Sequence, residues 1–128
     1  MPEYAEVPAA IVGRVRKACA HLPEAYEDQP WTGARWRIRG RTLVHVVTIV
    51  HESAPVTLMT FFAAGEERDV LLAIGPPYRP GWGDGLLAME LHDDGTTDWS
   101  EVKELLTESY RLLAPKKLIA LLGDVDPT

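Results

Sequence analysis

Four arginines recur at alternate positions in one short stretch: Arg35, Arg37, Arg39 and Arg41. In a β-strand alternate residues share a face and lie about 6–7 Å apart. Phosphates along a nucleic-acid strand repeat at a similar distance, and a guanidinium meets a phosphate or a carboxylate through two parallel hydrogen bonds. Two chemistries follow. One is a cationic ribbon laid along a phosphate backbone. The other is a solvated strand face whose arginines pair with acids elsewhere in the chain. Like charges this close cost free energy without a partner, so one of the two must operate.

Further candidates are scattered. Arg79 lies between Tyr78 and Trp82 in a stretch dense in Pro and Gly. Lys116 and Lys117 open a short apolar segment, where the helix dipole does not favour cations. Trp36, Ile38, Tyr26 and Trp31 read as core or lid packing rather than as a platform for stacked bases. Tyr78 and Trp82 are better placed for exposure. The spacings of His45, His51 and His92 with Asp93 and Asp94 match no metal motif, so neither metal nor other cofactor is expected. Cys19 is the one cysteine, which excludes an internal disulfide, and it falls on an apolar helix face as an inert thiol. Ser109 has no base near it in sequence. Nucleophile elbows, phosphate loops and dinucleotide fingerprints are absent, so the chain reads as non-enzymatic.

The elements that position these residues follow from periodicity. Ile11, Val12, Val15, Ala18, Cys19 and Leu22 recur at helical spacing and predict a helix over 8–21, with Pro8 as its first residue and Pro23 ending it. Residues 23–33 read as a loop. Residues 34–39 alternate, Arg35, Arg37 and Arg39 on one side, Trp36 and Ile38 on the other, which predicts a half-buried strand. A turn at Gly40 and strands over 43–50 and 56–62, joined through 51–55, complete an antiparallel meander. A helix over 66–74, a long loop over 75–85 and a strand over 86–91 come next. Asp98, with Glu101 three residues on, caps a helix striped by Val102, Leu105, Leu106, Tyr110 and Leu113. Pro115 breaks the chain before a last helix over 116–122, ending near Gly123. Hairpin-linked strands with flanking helices give an α+β two-layer sandwich with an antiparallel sheet.

Composition bounds the function. The chain has 128 residues, enough for one domain over 1–128, and no apolar run long enough to span a membrane. The first residues carry no secretory pattern, so the cytoplasm is the expected compartment. Thirteen basic and nineteen acidic residues give a net charge of -6. That sign opposes a grip on nucleic acid over the whole surface and confines any such contact to a patch. Residues 35–51 hold four arginines and no acid, whereas residues 52–128 carry a net -8.

Several pieces taken together resemble the MmcQ/YjbR-like family. They are Gly81-Trp82-Gly83, the strand Leu86 to Leu91, Asp98-Trp99-Ser100-Glu101-Val102, Glu108-Ser109-Tyr110 and Ala114-Pro115-Lys116-Lys117-Leu118, with Leu22-Pro23-Glu24 and Glu27-Asp28 earlier. The resemblance implies a CyaY-like (frataxin-like) sandwich and DNA binding through a double wing, with no catalytic residues to carry over. Lys116 and Lys117 fall on the family's paired lysines. Many members carry a polar, basic segment before the tryptophan; here Tyr78-Arg79-Pro80-Gly81-Trp82 supplies one base. The first helix bears Arg14, Arg16 and Lys17 rather than the acids of a frataxin, so iron is not expected. The first expectation is therefore a non-enzymatic DNA-binding protein using Arg35, Arg37, Arg39 and Arg41, helped by Arg79, Lys116 and Lys117. The second is a protein-interaction or small-ligand module with its site at the Tyr78–Trp82 loop. Neutralisation of the hairpin arginines by acids favours the second.

Overall fold

The apolar runs over 43–50 and 56–62 leave little room for strict alternation, and strands of that kind are covered on both faces. A computed structural model, which describes residues 3–83 and 85–122, places them at the centre of a sheet. The elements in chain order are β1 (Glu3–Ala5), α1 (Ala9–Cys19), β2 (Tyr26–Asp28), β3 (Ala34–Ile38), β4 (Arg41–His51), β5 (Ala54–Phe62), α2 (Gly65–Ile74), β6 (Tyr78–Pro80), β7 (Leu86–Glu90), α3 (Trp99–Leu113) and α4 (Lys116–Leu121). The sheet runs β2-β3-β4-β5-β7-β6, antiparallel throughout, with β1 paired to the far end of β4. The fold is the α+β architecture expected.

The core lies between one sheet face and the helices. Ile11, Val15, Ala18 and Cys19 of α1 and Val102, Leu105, Leu106 and Tyr110 of α3 pack against Trp36, Ile38, Val44, Val46, Met59, Phe61, Leu87 and Met89. Asp98 caps α3 as expected, its carboxylate accepting from the Ser100 and Glu101 N–H groups. The Tyr110 hydroxyl donates to the Pro23 carbonyl at 2.7 Å and ties α3 to the end of the α1 segment.

Several boundaries differ from expectation. Pro8 has extended backbone and precedes the helix, so α1 starts one residue later and stops at Cys19. Three-residue strands β1, β2 and β6 occupy segments without periodicity, two of them read as loops. Strand β3 ends at Ile38 because Arg39 and Gly40 both take positive φ and form the two-residue hairpin turn that matches strand twist. Arg39 thus leaves the strand face on which it was expected. Glu52 and Ser53 make a second turn of the same kind. The expected helix end at Gly123 lies outside the described residues.

Candidate functional site

Sheet register aligns Asp28, Arg35, His45, Thr60, Ala88 and Arg79 in one row across six strands. This row lies on the face turned away from α1 and α3. The register slips by one residue between Trp36 and Arg37, a bulge at Leu43 that brings Thr42 onto the same face as His45.

The hairpin arginines and Arg79 are largely partnered. Arg35 makes a two-pronged pair with Asp28, at 2.8 and 3.0 Å, directly across the β2–β3 ladder. Arg37 donates to the Gly40 carbonyl and lies 3.7 Å from the same Asp28 carboxylate. Arg39, in the turn, forks onto Glu24 at 2.8 and 3.2 Å. Arg79 pairs with Glu90 across β6 and β7. Those hydrogen bonds hold the Asp28 and Glu24 carboxyls below their ordinary values and lift Arg35 and Arg39 above theirs. Arg41 differs. Its guanidinium donates, at 3.4 Å, to the Leu113 carbonyl at the end of α3, and among the described residues it meets no carboxylate. Lys116 and Lys117 are exposed and likewise unpaired among the described residues.

Beside this row the sheet face opens into a groove of two lobes. One, of about 580 Å³, is lined by Arg41, Thr42, Leu43, His45, Thr60, Phe62, Leu86 and Leu113. The other, of about 240 Å³, is lined by Tyr4, Trp31, Thr32, His45, Val47, Thr60, Trp82 and Leu86. His45, Thr60 and Leu86 belong to both, so the lobes share a floor. Such volumes fall within or near the roughly 300–1,000 Å³ of small-molecule sites. Trp31 and Trp82 are 79% and 60% exposed, unusual values for the largest apolar side chain. Trp31 stacks edge-on against Tyr4 at 5.0 Å.

Two glycines set this rim. A Cβ on Gly33 would collide with the Val46 backbone, so only glycine lets the 31–33 segment lie on β4. There the Thr32 carbonyl accepts from His45 Nε2 at 2.9 Å, which fixes the ring and its tautomer. A Cβ on Gly81 would meet Leu86 at 2.8 Å. Backbone bonds from Gly81 to Leu86 and from Leu86 to Gly83 then hold Trp82 over the groove.

Other residues singled out by sequence lie elsewhere. Tyr78 is buried, and that burial, with Glu101 beside it, pushes its phenol up. Trp36 and Ile38 are core, as expected. Ser109 is wholly buried, and its hydroxyl accepts from the Phe62 N–H at 3.1 Å. Burial raises the Cys19 thiol to about 12. Among the described residues no three His, Cys, Asp or Glu side chains gather closely enough to hold a metal ion, and no helix is long and apolar enough to cross a membrane. The groove residues His45, Thr60, Leu86 and Trp31 were not visible as one site in the sequence. Their signal was the second apolar face of β4 and β5.

The model of the YjbR family matches residues 20–112. The chain belongs to the YjbR family. Among solved structures, the Deinococcus radiodurans protein DR2400, which carries a DUF419 domain, superposes with a TM-score of 0.63 at 21% identity, covering 97% of this chain and 96% of that one. That likeness is one of fold. No curated protein matches. The YjbR match includes the hairpin, β7 and most of α3, and thus the floor of the groove, whereas Tyr4 and the paired lysines fall outside it.

Proposed function

We propose that this YjbR-family protein is a non-enzymatic, cytoplasmic small-ligand-binding module whose site is the groove on the open sheet face. One observation carries the reading: two tryptophans stand exposed at the rim of an apolar floor, each placed there by a glycine that tolerates no side chain. This is the second of the two functions expected from sequence, moved from the Tyr78–Trp82 loop as a whole to Trp82 and the sheet beneath it. It is preferred because carboxylates hold Arg35, Arg39 and Arg79, and Arg37 lies beside Asp28. The site's polar side chains suit binding rather than turnover: His45 spends Nε2 on a backbone carbonyl, and Thr60 lies 3.4 Å from the His45 carbonyl.

The test is a titration of the full chain with Nile red, an uncharged apolar dye. Saturable enhancement that Leu86→Glu removes and Trp82→Ala weakens is the expected result. No enhancement, or a self-associated protein in sedimentation whose sheet face is already covered, overturns the reading.

Backbone-directed DNA contact stands as a second reading on one observation: Arg41, Lys116 and Lys117 hold no carboxylate among the described residues. It requires weak, salt-sensitive duplex binding in a mobility shift. Alanine at those three positions would abolish that binding, and alanine at Arg35 and Arg39 would spare it.

A further inference from the structure

The two ends of the groove differ in chemistry. Aromatic rings of Trp31, Tyr4 and Trp82 stand at one end. At the other stands Arg41, whose partner is the carbonyl of the last residue of α3. A neutral carbonyl leaves a guanidinium its full charge, and a fork with free N–H groups matches a planar carboxylate. Lys116 and Lys117 follow Leu113 closely in the chain and add positive potential near the same end. The chain as a whole carries a net -6, so this cationic end runs against the overall charge. Between the ends lie Leu86, Phe62 and Leu43, which offer no charge.

Resting on the groove reading above, we propose that the ligand is a small amphipathic anion, its flat apolar body on Leu86 and Phe62 and its carboxylate on the Arg41 guanidinium. The pairing explains why Arg41, alone among the hairpin arginines, meets no acid among the described residues. Arg35 and Arg39 are held to structural carboxylates, whereas Arg41 keeps its fork for a carboxylate that arrives from solution. Arg41 itself is exposed, so the pair would form at the open end of the groove, with the apolar floor beside it holding the ligand's body.

The probes are naphthoate and its uncharged amide, naphthamide, titrated calorimetrically into the full chain and into Arg41→Gln. Naphthoate is expected to bind about tenfold more tightly than naphthamide, with an affinity that falls as salt rises. Arg41→Gln should erase that preference by bringing naphthoate affinity down to that of naphthamide, and Arg41→Lys should restore part of it. Equal binding of both probes to the parent, both lost in Leu86→Glu, overturns the anion assignment and leaves the groove reading standing. A preference that survives Arg41→Gln also overturns the assignment to Arg41. Failure of both probes to bind overturns the two together.

Discussion

A Cβ atom on Gly33 would stand 2.0 Å from the carbonyl oxygen of Val46. The residue also has a φ of +75°, which side chains rarely adopt. Gly33→Ala must therefore move the chain away from β4, stretch the His45–Thr32 hydrogen bond and loosen Trp31 at the rim. We expect a loss of about 2–4 kcal/mol in urea unfolding. A tryptophan emission change in the native state should accompany it. A variant as stable as the parent would show that the 31–33 segment does not rest on the sheet.

Asp28 accepts from Arg35 and lies beside Arg37, and the Arg35 hydrogen bonds hold its carboxyl below the ordinary value. A carboxylate depressed in the folded state adds stability above its unfolded value, near pH ~4, and that stability is lost as the pH falls through the folded value. Asp28→Asn removes this contribution. The stability gap between parent and variant is expected to be constant from about pH 5 upward and to close in more acid solution. Urea unfolding across that range checks it. A gap that widens on acidification would mean that Asp28 is not the partner of these arginines.

The expectation for the arginines failed at one residue for a local reason. Alternation continues through Arg39 in the sequence, but the chain turns there, and Arg39-Gly40 takes the two positive φ values of a tight hairpin. An Asn-Gly pair would have announced that turn, and Arg-Gly does not. Strands β1, β2 and β6 were illegible because three residues carry no periodicity and their pairing is settled by the neighbouring strands. The long strands and α3 were legible because their apolar faces persist over many residues. The partners Asp28 and Glu24 sat in plain view as acids of a loop. What could not be read was the register that sets Asp28 opposite Arg35. The groove was hidden for a related reason. His45, Thr60 and Leu86 come from three strands, and only pairing makes them neighbours.

Ser109 sits wholly buried in α3 and accepts the Phe62 N–H at the end of β5. Removing the hydroxyl leaves that N–H without a partner, at a cost of about 1–3 kcal/mol. Ser109→Ala should lower stability by that amount and speed hydrogen exchange at the Phe62 amide. Unchanged exchange there would mean that another acceptor holds the amide.

Cys19 lies on the buried face of α1 among core residues. Thiol reagents attack the thiolate, and burial raises this thiol to about 12. At about pH 8 the thiolate is then roughly one part in ten thousand, before access is considered. Native protein should resist labelling by a disulfide reagent under conditions that label the urea-unfolded chain rapidly. The measured native rate then reports how often α1 lifts from α3, since reaction requires that opening. A native rate equal to the unfolded one would place Cys19 at the surface and contradict the packing of α1 on the sheet.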